Sequence, residues 1–243
     1  MSARAGGRRT GYSTGTWAAA AAKGAAMALF LGERPEAVDV RLPCGDTARL
    51  PLGRIVVRSR AATCRVVKEG AEKGDVTSGA EMVATVIASP GVGVRVKGGR
   101  GTGKVTKPGL ELPVGERAIN PVPRAMIREE VEEVLERSGA GEGCLVVISV
   151  PEGERIARRT LNSRLGVVGG ISILGTSGLV IPYSTDAFLV ALEKSMDVAR
   201  ACGNRSLALC TGRRSEAAAR RNLRLREECF VVCGDRLHFA LHY

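Results

Sequence analysis

A glycine- and lysine-rich segment at residues 98–109, GGRGTGKVTKPG, has the residue types of an anion-binding loop. Its glycines and Lys104 nearly match the spacing of a P-loop. However, Val105 stands where a P-loop needs Ser or Thr for magnesium, and Pro108 prevents the helix that would cradle phosphate. We therefore do not expect nucleotide hydrolysis. Such a loop can still present backbone N–H groups and Lys104 or Lys107 to an anion, and a flexible hairpin without a ligand is an equal alternative.

Two prolines restrict the backbone of a second motif, AINPVPR, at residues 118–124. Each proline fixes its own φ and favours an extended residue before it, so Asn120 and Arg124 lie beside rigid backbone. An amide and a guanidinium in this setting can bind an amide or a carboxylate. A rigid connector between domains explains the same residues equally well.

Glycines and hydroxyl groups end an apolar run at residues 174–178, LGTSG. Gly175 and Gly178 allow the backbone to approach a ligand, and Thr176 and Ser177 offer hydroxyl groups. The alternative is a plain turn at the end of a strand. A nucleophilic serine is not indicated, because no general base lies nearby in sequence.

A run of arginines follows residue 212. Arg213, Arg220 and Arg224 share one face of a predicted helix, and Arg214 and Arg221 lie beside them. Charge runs of this kind usually form a solvated helix face, and we favour that interpretation over a docking surface for a polyanion.

The elements that position these motifs fall into two regions. In the first region, residues 14–16 can cap a helix that starts near Trp17, strand-like runs follow, and residues 125–138 form an amphipathic helix that Gly139 ends. We predict an α+β domain over residues 1–140, which contains the Gly-rich loop.

The second region alternates apolar runs with helices. The runs are at residues 144–150, 167–178, 206–212 and 229–235, and Ser184 or Thr185 can cap a helix between the second and third. This alternation predicts an α/β domain over residues 141–243, Rossmann-like with a mostly parallel sheet. Ligands of such sheets lie at the carboxyl ends of the strands.

The composition indicates a basic protein for an anionic ligand. Lys and Arg number 36 against 25 acidic residues, a formal charge of +11. Such a charge favours nucleic acid, an acidic membrane or a small polyanion. Aromatic residues are only 3% of the chain, which argues against a nucleic-acid partner because base stacking needs aromatic rings. No run approaches the roughly 20 apolar residues of a membrane span, so we expect no membrane partner.

The seven cysteines form no CxxC pair, which is typical of reduced thiols in the cytoplasm. The two histidines, His238 and His242, lie in the last six residues, so we expect no interior metal site. Arg4, Arg8 and Arg9 precede an alanine-rich run that resembles a signal peptide, but the run is short and Lys23 interrupts it. We predict a cytoplasmic protein with a short basic arm.

Six motifs in order resemble one family, the cobalt-precorrin-5B C(1)-methyltransferases (CbiD). They are GYSTGTWAAAAAKGA, DVTSGAE, GTGKVTKPGL, GERAINPVPRAMI, ERIARRTLNSRLGVVGGISILGTSGLVIP and TGRRSE. The resemblance covers essentially the whole chain. It implies methyl transfer from S-adenosylmethionine to C-1 of cobalt-precorrin-5B, giving cobalt-precorrin-6A in anaerobic cobalamin biosynthesis. It also implies that cobalt arrives only inside the corrinoid substrate, whose carboxylates suit an arginine-rich protein.

The same motifs suggest site residues, although no catalytic residue is assigned. The second domain is expected to bind the methyl donor, and Glu216 to accept its ribose hydroxyls. The donor-binding residues are Gly175, Thr176, Ser177, Gly178, Thr211, Gly212 and Glu216. The substrate-binding residues are Thr14, Gly15, Thr16, Asp75, Thr77, Gly101, Gly103, Lys104, Asn120, Arg124, Asn162 and Arg164.

The chain departs from the family pattern at several points. Trp17 stands where the family usually has cysteine, Ile181 stands where an acid is common, and the stretch before Asp75 lacks neighbouring aspartates. Further α/β elements usually follow the position of Tyr243. We therefore expect the second domain to be shortened, with an exposed sheet edge that a homodimer or partner chain covers. The alternative function is a non-catalytic or split-enzyme corrinoid-binding homologue.

Overall fold

The computed structural model describes residues 4–5, 8–9, 11–70, 75–91, 93–139, 141–181 and 184–243, with backbone only at 4–5 and 8–9. The side chains of the basic arm and the stretch 71–74 therefore lie outside the described residues. The helices are α1 (Thr14–Ala26), which continues as a π-helical turn (Met27–Leu31), α2 (Pro121–Ser138), α3 (Gly153–Ala157), α4 (Thr185–Ala201), α5 (Arg213–Asn222) and α6 (Leu237–His242). A 3₁₀ turn spans Glu227–Cys229.

The strands before α2 are β1 (Arg4–Ala5), β2 (Arg8–Arg9), β3 (Gly11–Tyr12), β4 (Ala37–Arg41), β5 (Thr47–Pro51), β6 (Ile55–Arg58), β7 (Ala61–Val67), β8 (Glu81–Ser89), β9 (Val94–Gly98), β10 (Gly101–Thr102) and β11 (Lys104–Val105). Those after α2 are β12 (Gly143–Ser149), β13 (Val167–Val168), β14 (Gly170–Ile171), β15 (Leu179–Val180), β16 (Ala208–Cys210) and β17 (Phe230–Val232).

The main sheet has five strands in the order β6-β7-β8-β12-β9. β12 pairs antiparallel with β8 and parallel with β9, and the other neighbours are antiparallel. Side chains alternate between the two faces, and one face forms the main hydrophobic core with α1 and α2. The fold is therefore a mixed α/β structure with one larger sheet and several two-stranded pairs.

Every residue of α1 is buried. Its alanines allow the helix to pack closely on the sheet and on α2. The predicted helix is confirmed, but it starts at Thr14, because Ser13 is the N-cap and its hydroxyl accepts a hydrogen bond from the Thr16 N–H at 3.1 Å. Lys23 of α1 forms a buried ion pair with Glu130 of α2 at 2.6 Å, which joins the two helices.

The second long helix, α2, starts four residues before the predicted Ala125. The AINPVPR motif, for which a rigid connector was one of two interpretations, contains the first turn of α2. Pro121 occupies the first helical position, where a missing N–H costs nothing. Gly139 ends the helix in the left-handed conformation, with φ of 63°, as predicted.

The division predicted at residue 140 does not separate the sheets. Residue 140 lies outside the described residues, but β12, predicted as the first strand of the second domain, lies inside the sheet of the first region. The Rossmann-like sheet is not confirmed. Among the described residues after 184, only β16 and β17 pair, in parallel, and each keeps one unpaired edge.

The second region nevertheless has its own small core. Leu192 and Met196 of α4 pack with Val231, Cys233 and Ala240 in a cluster separate from the main one. Ser184 caps α4, as predicted, through a hydrogen bond from the Ala187 N–H at 3.3 Å. No helix within the described ranges is long and apolar enough to cross a membrane.

The cysteines of the described residues are free thiols. Burial raises the pKa of Cys64 to about 12, and burial with the nearby Glu132 raises the pKa of Cys144 to about 11. These thiols are therefore protonated at neutral pH and pack as small apolar side chains.

Candidate functional site

The loop 172–178 is seated on the start of α1. The Thr14 hydroxyl accepts a hydrogen bond from the Leu174 N–H at 2.9 Å and lies 3.3 Å and 3.2 Å from the carbonyl oxygens of Ser172 and Leu174. The Thr16 hydroxyl donates to the carbonyl of Gly178 at 2.7 Å. The first turn of α1 therefore holds both ends of the LGTSG motif.

This seating uses up the polar groups of Thr14 and Thr16, which are 4% and 0% exposed. Gly15 is also buried, and its N–H donates to the carbonyl of Leu174 at 3.1 Å. A Cβ at Gly15 would come within 2.7 Å of Pro123, so only glycine lets α1 and α2 approach here. These three residues were predicted to bind substrate, and the structure gives them contacts to the loop.

The polar groups that remain available are on the loop itself. Thr176 and Ser177 are exposed. The Ser177 hydroxyl accepts a hydrogen bond from the Leu179 N–H at 3.3 Å, whereas the Thr176 hydroxyl has no hydrogen bond to any described residue. Gly175 and Gly178 have φ of 133° and 80°, a backbone conformation that favours glycine. The loop therefore offers hydroxyls on backbone that is fixed at both ends.

The start of α2 lies beside the same loop. The Asn120 N–H donates to the carbonyl of Ile173 at 3.0 Å, and the half-buried Asn120 side chain makes no hydrogen bond within the described part of the chain. Pro121 and Pro123 carry no N–H, so the Asn120 amide is one of the few polar groups that this helix start can offer. The structure thus brings together the LGTSG and AINPVPR motifs, which are about fifty residues apart in sequence.

Arg124 extends from the first turn of α2 to the edge of the main sheet. Its guanidinium donates to the carbonyl of Val96 on β9 at 3.3 Å and forms an ion pair with Glu116 at 3.2 Å. Its side chain is 29% exposed. Because the guanidinium is partly exposed, its N–H groups that these contacts leave unused can still bind a carboxylate.

The predicted anion-binding loop is built differently from a P-loop. β10 pairs with β14 and β11 with β13, and no helix follows Lys104. Gly101, with φ of 74°, and Gly103 are buried, and a Cβ at Gly101 would collide with the carbonyl of Val150. These two glycines therefore allow a close crossing of backbones. Lys104 is exposed and forms no ion pair with a described residue.

A charged network joins the segment 161–166 to α5. Glu216 is 4% exposed, and its two carboxylate oxygens accept hydrogen bonds from Arg164 and Arg220, each at 3.0 Å. Arg220 also lies over the ring of Phe230, 5.0 Å from its centroid. Each oxygen of Glu216 thus accepts a hydrogen bond from an arginine, and the carboxylate is nearly inaccessible to solvent.

The other predicted residues near α5 are Thr211 and Gly212, which follow the carboxyl end of β16. The Ser215 hydroxyl lies 3.3 Å from the Thr211 hydroxyl and accepts from the Gly212 N–H at 3.0 Å. No hydrogen bond or ion pair among the described residues joins this segment to residues 174–178. The structure therefore places the predicted donor-binding residues in two groups.

Asp75 and Thr77 form a local turn with a buried lysine. Asp75 accepts hydrogen bonds from the Thr77 N–H at 2.9 Å and hydroxyl at 2.6 Å, and it pairs with Lys68, which is 0% exposed. Burial raises the pKa of Asp75, but the bonds from Lys68 and Thr77 outweigh it and hold the pKa below its ordinary value. Asn162 is likewise buried, and its amide donates to the carbonyl of Gly170 at 3.1 Å.

Two cavities lie away from the loop 174–178. A small cavity of about 50 Å³, which includes Arg164, Phe188 and Phe230 in its lining, has room for water rather than a large ligand. An open depression of about 460 Å³ is lined by Arg205, Arg224 and Arg226 among others. Arg224 lies beyond the end of α5. The prediction that Arg213, Arg220 and Arg224 share one helix face is therefore wrong.

Three features of the site were not anticipated from the sequence. Ser13, not Thr14 or Thr16, is the cap of α1, although SxxT spacing was visible in GYSTGT. Lys68 partners Asp75, and no local pattern marks that pair. The indole N–H of Trp17 is buried without a hydrogen-bond partner among the described residues. No cluster of three or more metal-ligating side chains occurs in the described ranges.

The comparisons with known proteins agree with these motifs. The CbiD family model matches residues 1–182. A cobalt-precorrin-5B C(1)-methyltransferase of Geobacillus kaustophilus is 49% identical over 234 residues, covering 96% of this chain and 63% of that protein. The corresponding protein of Salinispora arenicola is 50% identical over 228 residues, covering 93% of this chain and 60% of that protein. The chain thus spans somewhat less than two thirds of these curated relatives.

A solved structure also matches over most of the chain. It is a cobalamin biosynthesis protein (cbiD) from Archaeoglobus fulgidus, 31% identical, with a TM-score of 0.57. The match covers 97% of this chain and 73% of that one.

Proposed function

Because this chain belongs to the CbiD family, we propose that it transfers a methyl group from S-adenosylmethionine to C-1 of cobalt-precorrin-5B, giving cobalt-precorrin-6A. The observation that carries the proposal is the seating of the loop 174–178 on the starts of α1 and α2. Hydrogen bonds between buried hydroxyls and backbone groups hold the loop in place. Thr176, Ser177 and the Asn120 amide remain available to a ligand.

The reaction asks little nucleophilic chemistry of the protein. A ring carbon of the substrate supplies the electron pair of the new C–C bond, the S–CH₃ bond breaks, and the sulfonium becomes a neutral thioether. The protein must align the donor methyl with the ring carbon and keep water out. Rigidly held loops suit that task, and the protonated, buried Cys64 and Cys144 are not needed as nucleophiles.

We assign the methyl donor to two segments that follow the carboxyl ends of strands, residues 174–178 and 211–212. Gly175 and Gly178 allow close backbone approach, and hydroxyls of Thr176 and Thr211 can bind the polar parts of the donor. Glu216 is 4% exposed and already binds Arg164 and Arg220, so it is poorly placed to contact a ribose. We therefore assign Glu216 to positioning Arg164 and not to the ribose.

We assign the substrate carboxylates to Asn120, Arg124 and Arg164, with cobalt entering as part of the substrate. Arg124 and Arg164 are 29% and 36% exposed, so their guanidinium groups can bind carboxylates without leaving their present partners. The free thiols of the chain suit a reducing compartment, and we place the reaction in the cytoplasm.

Anaerobic incubation with S-adenosylmethionine and cobalt-precorrin-5B tests the function, with mass spectrometry to detect one added methyl group. Tight substrate binding without methylation would instead support a non-catalytic corrinoid-binding homologue.

A binding titration tests the residues assigned to the substrate carboxylates. Arg124→Ala and Arg164→Ala should each weaken substrate affinity by about tenfold, while Arg34→Ala, an exposed arginine without an ion pair to a described residue, should not. Unchanged affinity in both variants would remove the assignment.

A further inference from the structure

The main sheet has a second face that is not covered by any hydrophobic cluster of the described residues. Its side chains alternate with those that pack against α1 and α2, and none of them belongs to the main core cluster. Val83 is 8% exposed yet lies outside every hydrophobic cluster, and Ile87 is 36% exposed. We call this surface the open face.

The strand register places aliphatic and cationic side chains of the open face in two rows. One row runs from β9 to β6 through Lys97, Val147, Thr85, Thr63 and Val56. The next runs through Arg95, Leu145, Ile87, Ala61 and Arg58 in the same direction. Toward β9, apolar side chains of β8 and β12 therefore lie beside two cations.

Most charged side chains of the open face are cationic. Among the described strand residues of this face, the cations are Arg58, Arg65, Arg95 and Lys97, and the acid is Glu81, which pairs with Arg65 at 2.9 Å. Stacking two copies face to face would bring like charges together, so a second copy is a poor occupant. The rows contain no aromatic side chain, which argues against stacked nucleic-acid bases. An apolar, flat ligand with anionic arms fits best.

The open face adjoins a residue already assigned to the substrate. Arg124 comes from the helix-covered side and binds the carbonyl of Val96 on the edge strand β9, one residue before Lys97. A ligand carboxylate at Arg124 would therefore lie at the rim of the open face.

We infer that the open face between β9 and β8 binds the macrocycle of a carboxylate-bearing tetrapyrrole. The ring lies on Leu145, Val147 and Ile87, and its acidic arms reach Arg95 and Lys97. The tetrapyrrole identity of the ligand rests on the proposed function, whereas the preference for a flat anion rests on the face itself.

Fluorescence titration of the 243-residue chain with uroporphyrin, a planar macrocycle with carboxylates around its rim, tests this surface. Lys97→Glu and Ile87→Glu should each weaken binding by about tenfold, because they remove a cation or place a carboxylate among the apolar contacts. The matched controls are Arg34→Glu and Val114→Glu, which make the same changes at exposed positions elsewhere. Both controls should bind like the parent chain.

The outcomes separate the surface from the reaction. If Lys97→Glu and Ile87→Glu bind uroporphyrin like their controls while circular dichroism shows them folded, the open face is not the binding surface. If Ile87→Glu changes the oligomeric state in sedimentation but not the affinity, the face is a contact between copies and the inference is overturned. Loss of binding in the two variants upholds the surface even if the parent chain transfers no methyl group, a result that would overturn the proposed function alone.

Discussion

The carboxylate of Glu216 binds two guanidinium groups and has little contact with water. Arg164 and Arg220 converge on it from different segments, and Arg220 is further fixed over Phe230. A buried carboxylate shared by two arginines orients both of them, because each charge-assisted hydrogen bond restricts the planar guanidinium. The side chain that sequence alone suggested for a ribose therefore acts on its neighbours.

Replacing Glu216 by Gln tests that role. The amide keeps the shape but removes the charge, so we expect the free energy of unfolding to fall by about 1.5–3 kcal/mol in a urea titration. Glu154→Gln, at an exposed position with no ion pair to a described residue, should change it by less than about 0.5 kcal/mol. Equal effects of the two substitutions would show that the network does not stabilise the fold.

Asp75 makes the stability depend on pH at the acid end. Its folded-state pKa lies below the ordinary value, so its contribution is present above the unfolded pKa of about 3.9 and is lost as the pH falls through the folded pKa. We expect Asp75→Asn to be less stable than the parent by about 1–3 kcal/mol at neutral pH, with a smaller difference in strong acid.

Urea unfolding at several pH values measures this difference for Asp75→Asn, with the exposed Asp46→Asn as control. A gap between parent and Asp75→Asn that stays constant as the acid increases would mean that the carboxylate charge is not what Lys68 and Thr77 recognise.

At the scale of the residue, composition and motif identified the available groups but not their partners. Asn120, Arg124, Thr176 and Ser177 were singled out from short motifs, and the structure gathers Asn120 with the loop that carries Thr176. Thr14 could not be distinguished from a ligand-binding threonine, because its partner carbonyls lie about 160 residues away in sequence.

Glycine packing governs the elements around the Gly-rich loop. Gly101, Gly153 and Gly170 come from three segments and pack backbone against backbone, so a Cβ at any of them meets a carbonyl of another segment. The sequence of this loop resembles a phosphate-binding loop, because glycine allows the backbone to approach either a ligand or another backbone segment closely.

Gly101→Ala should therefore destabilise far more than its backbone angle alone requires. We expect a loss of more than about 3 kcal/mol, because strain at positive φ adds to a collision with the carbonyl of Val150. Gly45→Ala is the matched control, since Gly45 also has positive φ, of 95°, but has no atom within 4 Å of an added Cβ. Its cost should be about 1–2 kcal/mol. Similar losses for the two variants in denaturant unfolding would contradict the packing argument.

Local signals predicted elements well where the element is long. α1, α2 and α4 and the strands β7 and β8 follow from alanine content, apolar periodicity and alternation, which act within a few residues. The two-residue strands β10, β11, β13 and β14 are too short for any periodic signal, and they pair across more than sixty residues. Their existence depends on tertiary contacts that no local window contains.

In the whole molecule, the second half shows that strand–helix alternation does not determine which sheet a strand joins. The run at residues 144–150 has the pattern of a buried parallel strand, and one of its neighbours, β9, is indeed parallel. Yet β12 belongs to the first sheet, where it lies between β8 and β9. A buried apolar strand can pair with any two strands that each have an unpaired edge. The alternation predicted a mostly parallel, Rossmann-like sheet, which is not confirmed, and it assigned that strand to the wrong sheet.

The overall charge of +11 and the uneven distribution of cations point the whole molecule toward an anionic substrate. The function that we propose narrows that substrate to a corrinoid and the reaction to methyl transfer. Because the chain spans 63% of the Geobacillus kaustophilus relative, the activity of this chain itself is the claim that most needs measurement.

That measurement is an anaerobic reaction of the purified chain with cobalt-precorrin-5B and S-adenosylmethionine that carries a ¹³C-labelled methyl group. We expect a product with one labelled methyl group, placed at C-1 by NMR, and an equal yield of S-adenosylhomocysteine. Substrate that binds and is recovered without label, under conditions where a full-length relative labels it, would show that this chain does not perform the proposed methyl transfer.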